Sequence, residues 1–123
     1  MTVKRIVPNI DSDDLPETRQ FYEALFGLDC AMDMGWVVTL EAGCAPMAQL
    51  NIASEGGSGT GVPDLTIEVE DVDDVHARAR ILGAKVIYGP FTESWGVRRF
   101  FLRDPSGTLV NVMQHGAAES RAA

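Results

Sequence analysis

Apolar and polar residues alternate through residues 64–69: Leu65, Ile67 and Val69 fall on one side, Asp64, Thr66 and Glu68 on the other. A period of two with one oily face predicts a half-buried strand. Residues 6–11 repeat the pattern, with Ile6, Pro8 and Ile10 on one face and Val7, Asn9 and Asp11 on the other. Pro8 has no N–H to give a ladder, which places an edge or a bulge there. After each strand the period becomes helical. Leu15, Phe21, Tyr22, Leu25 and Phe26 share one face of the first predicted helix; Val72, Val75, Ala79 and Leu82 share one face of the second. Asp14 with Glu17, and Asp71 with Asp74, have the spacing of N-terminal caps. Gly27 and Gly83 stand where a helix closes in a left-handed residue.

The chain therefore reads twice, and a repeat dictates architecture. Three further strands complete each copy, near residues 30–34, 36–41 and 47–53 in the first and 85–88, 97–103 and 109–114 in the second. Asp-Pro-Ser-Gly at 104–107 is a turn signal, and Glu-Ala-Gly-Cys at 41–44 turns the corresponding corner. The expected organisation is one α+β domain of two tandem βαβββ modules. Module one spans 4–53, a glycine-rich linker 54–62, module two 63–115, and a frayed tail 116–123. The linker glycines precede a strand and lack a following Lys, so they do not read as a phosphate loop.

Composition narrows the partners. The 123 residues carry a net charge of −8, with no basic cluster interleaved with aromatics. This argues against nucleic acid and against an anionic membrane surface. No apolar run has membrane-span length, and the first residues show no secretory pattern, so a cytoplasmic protein is expected. Cys30 and Cys44 are too few and too far apart for a metal knuckle or disulfide framework, and read as small, partly buried apolar residues.

The twice-used β-α-β-β-β unit, with FYEALFGL ending the first helix and WGVRRFFLRDPSGTLVNVMQ closing the second unit, resembles the vicinal-oxygen-chelate superfamily: glyoxalase I, bleomycin- and fosfomycin-resistance proteins and extradiol dioxygenases. The resemblance covers residues 4–115. It implies that each module curls into an incomplete barrel, with its helix on the convex face and a ligand on the concave one. It also implies a homodimer.

Metal-using members of that group take ligands from the first and last strand of each unit. Carried over by motif, the positions are Val7, Gln49, Asp64 and Asn111, with Asn51 as the alternative to Gln49. Val has no lone pair, amide oxygens are weak neutral ligands, and one carboxylate does not hold a transition ion against water. No metal and no cofactor are expected. His76 reads as a solvated helix residue and His115 as a terminal or rim residue.

The cavity candidates are Val7, Trp36, Met47, Gln49, Asn51, Asp64, Thr66, Trp95, Asn111 and Met113. Aromatic, thioether and amide groups suit a small organic molecule, with the Trp rings stacking and Asp64 meeting a cationic group. Arg98 and Arg99, adjacent on a strand, point to opposite faces, so one can enter the cavity and bind a carboxylate or phosphate, and the sequence does not say which; the expectation is that both pair with acidic residues at the surface. The expectation is metal-free binding of a small molecule, with sequestration of a drug or metabolite as in the bleomycin-resistance branch. The alternative is a glyoxalase-like lyase or isomerase acting on a small carbonyl compound, with Asp64 as base and Gln49 and Asn111 orienting the substrate.

Overall fold

A computed structural model describes residues 2–43 and 48–116. Its elements run β1 (Val3–Asp11), α1 (Leu15–Phe26), β2 (Asp29–Asp33), β3 (Val37–Glu41), β4 (Gln49–Ala53), β5 (Leu65–Val69), α2 (Val72–Ile81), β6 (Lys85–Thr92), β7 (Val97–Arg103) and β8 (Leu109–His115). The described residues divide into two compact units, one drawn from residues 7–62 and the other made of residues 2–6 together with 63–116. Each carries one βαβββ module. Among the described residues no helix is long and apolar enough to cross a membrane.

In the first unit the strand order is β2-β3-β4-β1. Asn9, Ile10 and Asp11 of β1 run parallel to Asn51, Ile52 and Ala53 of β4, while β3 joins β2 and β4 antiparallel. The predicted cap forms: Asp14 accepts the Glu17 N–H at 3.1 Å. Gly27 closes α1 at φ +65°, its N–H bonding the Glu23 carbonyl, a conformation that costs glycine nothing in Cβ clash. Leu15, Val38, Leu40 and Ile52 form the core under the helix, with Ile10, Tyr22, Leu28 and Leu50 packed against it. Burying each large side chain fully stabilises by about 1.5–3 kcal/mol. The helix is oilier than its footprint. Phe21, Leu25 and Phe26 are exposed, because only the Leu15–Tyr22 line points straight at the sheet. Cys30 is exposed on β2 rather than partly buried. Cys44 and Met47 lie outside the described residues. The 54–62 segment folds on itself, with Gly56 N–H to the Thr60 carbonyl at 3.0 Å and Thr60 N–H to the Gly57 carbonyl at 2.9 Å.

In the second unit the order is β5-β8-β7-β6, β5 and β8 parallel and the other pairs antiparallel. Asp71 caps α2 through the Asp74 N–H at 3.2 Å. Val69, Val72, Ala79, Phe100, Val110 and Val112 form the core under α2. Leu82 does not join it. It is the C-cap of α2 and 84% exposed, since the helix turns away at Gly83. His76 sets its ring edge-on against the buried Phe100 at 5.1 Å, so it is not simply solvated. The Asp104 turn forms as predicted, its Oδ1 accepting the Ser106 hydroxyl at 2.6 Å and the Ser106 and Thr108 N–H groups. β6 runs on to Thr92, beyond the expected residue 88. There Gly89, at φ +79°, brings its backbone so close to the Arg99 carbonyl that a Cβ would sit 2.5 Å from it.

Candidate functional site

Alternation puts two sets of residues on each sheet. In module two, Ile67, Val69, Phe100, Leu102, Val110 and Val112 face α2. Their neighbours Thr66, Glu68, Arg99, Phe101, Asn111 and Met113 therefore face the other way. This second face is where polar and aromatic chemistry gathers.

Arg99 is its centre. It is 3% exposed, and its Nε donates to Glu93 Oε2 at 2.7 Å. Tyr88 donates its hydroxyl to the same oxygen, also at 2.7 Å. Three rings flank the guanidinium, Phe101 at 4.7 Å, Trp95 at 5.0 Å and Tyr88 at 5.4 Å. Such stacking favours a weakly hydrated planar cation. Arg98 points to the opposite face and grips Asp73 on α2 with Nε and a terminal nitrogen. The face of each arginine, open in the sequence, is thus fixed. Arg99 pairs with a buried acid and not at the surface, since strand parity and the β6 return carry it inward. The Trp95 ring is engaged by Arg99, so a cation of this chain already occupies the stacking position expected for a ligand.

Asn111 lies opposite Phe101 on β7 and Thr66 on β5. Its Nδ2 donates to Thr66 Oγ1 at 3.3 Å. Its Oδ1 is buried without a hydrogen-bond partner among the described residues. Met113 is buried one pleat further along β8. Beyond it Glu68 accepts from Arg5 and lies 3.2 Å from His115 Nδ1, so His115 makes a partly exposed pairing at the strand end. Burial pushes the Glu68 carboxyl up, but hydrogen bonds from Arg5 and His115, with their charges, outweigh it and hold the group below the usual carboxylate range. Asp64 is exposed at the entry to β5, where its Oδ2 accepts the Leu109 N–H at 2.9 Å and its own N–H bonds the Leu109 carbonyl. It thereby locks a strand end.

Module one carries the matching face. Val7 is fully buried. Thr39 donates its hydroxyl to Asn51 Oδ1 at 2.6 Å, and Asn51 Nδ2 donates to Asn9 Oδ1 at 2.8 Å. Gln49 donates to Glu41 at 3.0 Å. The register pairs Asn9 with Asn51 in one module and Thr66 with Asn111 in the other. The last-strand position equivalent to Asn111 is therefore Asn51, the alternative the sequence left open. Trp36 sits half-buried just before β3, its carbonyl accepting the Ser54 N–H at 2.9 Å.

The donor set does not suit a transition metal. Asn51 and Asn111 stand at the last-strand positions, and Val7 and Asp64 at the first-strand ones. Among the described residues no three of His, Cys, Asp and Glu come together to hold an ion. Neutral amides and a hydroxyl do not replace imidazole or thiolate.

Sequence reasoning missed Glu93 and Tyr88. The signal was thin: β7 is oily on both faces (Phe100 and Phe101 are both buried), so alternation alone does not say which face Arg99 shares.

Comparison with known proteins agrees with this architecture. A search of the curated proteins gave no match. Among solved structures, the chain is similar to an NAD-dependent benzaldehyde dehydrogenase from Legionella pneumophila at 12% identity and a TM-score of 0.75, covering 90% of this chain and 99% of that one. It is similar to a glyoxalase/bleomycin resistance protein/dioxygenase superfamily member from Vibrio splendidus 12B01 at 18% identity and a TM-score of 0.61, over 92% and 99%. A methylmalonyl-CoA epimerase from Mycobacterium tuberculosis matches at 18% identity and a TM-score of 0.58, over 98% and 91%. At such identities the likeness speaks for the fold. Residues 9–112 match the profile of one family across both modules. With the doubled βαβββ unit and a polar face opposite each helix, this match establishes that the chain belongs to the Glyoxalase/Bleomycin resistance protein/Dioxygenase superfamily.

Proposed function

We propose that the chain is a glyoxalase-like lyase or isomerase acting on a small carbonyl compound, and that its site is the face of module two opposite α2. One observation carries the reading: Tyr88, Glu93 and Arg99 form a continuous hydrogen-bonded unit within a ring-lined surround. Removal of a proton beside a carbonyl requires a base, and the enolate that forms requires nearby positive charge. Tyr88 and Glu93 make a short proton path, and Arg99 supplies fixed charge where water is scarce. Asp64, the base suggested by the sequence, is exposed and committed to a backbone N–H. Proteins of similar fold include methylmalonyl-CoA epimerases, which supports an enzymatic reading.

The test is solvent exchange. Small 2-oxo and 2-hydroxy carbonyl compounds are incubated with the protein in deuterium oxide, and loss of the proton next to the carbonyl is followed by NMR. Protein-dependent exchange, lowered at least about tenfold in Glu93→Gln, is the expected result. No exchange across the panel would defeat the enzyme assignment.

A second reading, sequestration without metal or turnover, draws on the three rings around Arg99 and on a module-one face of amides and a hydroxyl. It predicts ligands that raise the melting temperature without being changed, since binding to the folded state alone stabilises it. For either reading we propose a homodimer, tested by light scattering.

A further inference from the structure

The two modules carry matched polar ladders, but only one is closed. In module one Asn51 is served on both sides: its Oδ1 takes the Thr39 hydroxyl and its Nδ2 gives to Asn9. The register sets Thr39 opposite Asn51 and Phe101 opposite Asn111. Phe101 has no hydroxyl. Asn111 gives its Nδ2 to Thr66, and its Oδ1 is left as a buried acceptor with no donor among the described residues, on a side chain only 8% exposed. A buried acceptor without a donor costs free energy, so a site that keeps one has a reason for it.

We infer that Asn111 Oδ1 is a ligand subsite that accepts a hydrogen bond from an O–H or N–H group of a small, flat, neutral molecule resting against Phe101, and that module one's Asn51, its ladder closed, has no such role. The inference rests on the proposed site lying on the module-two face, and it names what that face recognises. The side chains beside Asn111 on this face, Phe101 and Met113, are apolar and buried. The selective element is the unmet acceptor. A carbonyl compound with no O–H or N–H of its own would set acceptor against acceptor at this atom, so the carbonyl compounds selected are those, such as 2-hydroxy ones, that also offer a donor.

The experiment uses matched fragments: phenol against anisole, and indole against 1-methylindole, each at millimolar concentration with uniformly 15N-labelled protein. Side-chain amide resonances report directly on Asn111, with Asn51 as internal control. The donor-bearing member of each pair is expected to shift the Asn111 amide, leave that of Asn51 in place, and bind about tenfold more tightly than its methylated partner. Asn111→Leu should abolish the discrimination while retaining weak binding of both members. Phe101→Thr, which supplies the hydroxyl that module one has and removes the ring, should weaken both members of each pair and erase the preference for the donor-bearing one. Equal binding of donor and methylated fragments overturns the inference, as does a shift at Asn51 equal to that at Asn111. Shifts at the Trp95 indole without any at Asn111 overturn the subsite but leave the proposed face intact. Shifts at neither residue overturn both.

Discussion

Replacing Glu93 by Gln keeps the size of the side chain and an oxygen for Tyr88 and Arg99, and removes only the charge. Arg99 is 3% exposed and 2.7 Å from the carboxylate oxygen, so little water is present to take over. Breaking a buried pair by deleting one charge costs about 3–5 kcal/mol. The three rings around the guanidinium retain part of its stabilisation, which places Glu93→Gln near the lower end, about 3 kcal/mol. For a domain of this length each kcal/mol moves the melting temperature by about 4 °C, giving a fall of about 12 °C. Arg99→Met takes the cation from beside the Glu93 carboxylate, which keeps the Tyr88 hydroxyl, and should cost a similar amount. The double variant carries neither charge, so it should cost about as much as either single one, with a coupling of about 2–3 kcal/mol. Urea unfolding of the four proteins at neutral pH measures the cycle. A Glu93→Gln loss under about 0.5 kcal/mol with additive singles would show that the pair is screened as surface pairs are, and would refute the picture of a dry charged centre.

Thr39→Val removes the donor to Asn51 and is expected to cost about 1–3 kcal/mol in urea unfolding, much of it recovered in Thr39→Val/Asn51→Leu, where the stranded acceptor is also gone. Glu68 has a lowered proton affinity in the folded state, so its stabilisation is complete above the unfolded value of about 4.3 and is lost as the pH falls through the folded one. The stability gap between the parent and Glu68→Gln should therefore narrow between neutral pH and pH ~3, and a gap that widens on acidification would contradict the sign. Zinc, nickel or ferrous iron added in excess should leave the melting temperature unchanged, because the amide-rich positions hold no strong ligand set. Stoichiometric metal in protein purified without chelator would contradict that.

Local chemistry wrote much of the fold into the chain. Asp14 and Asp71 cap the helices, Gly27 closes the first, and Asp104 nucleates the last turn, because each acts over a few residues whatever surrounds it. Alternation in residues 64–69 sorted Thr66 from Ile67, since a strand has only two faces. The resemblance, anchored on the Asp104 turn, assigned Asn111 to the last strand of the second copy, and it lies in β8. Where the pattern was oily on both sides, it was mute. It did not separate Arg98 from Arg99, and it assigned Phe21, Leu25 and Phe26 to a helix face wider than the sheet beneath it.

What only tertiary structure decided was pairing between strands distant in sequence. Register set Asn51 against Asn9 and Thr39, and Asn111 against Thr66 and Phe101, which closed one ladder and left the other with an unmet acceptor. The return of β6 along β7 brought Tyr88, and the turn beyond it Glu93 and Trp95, to the guanidinium of Arg99. A side chain's period and caps are properties of its own few neighbours; its partner across a sheet depends on where another strand stops, and that is settled only when the whole module packs.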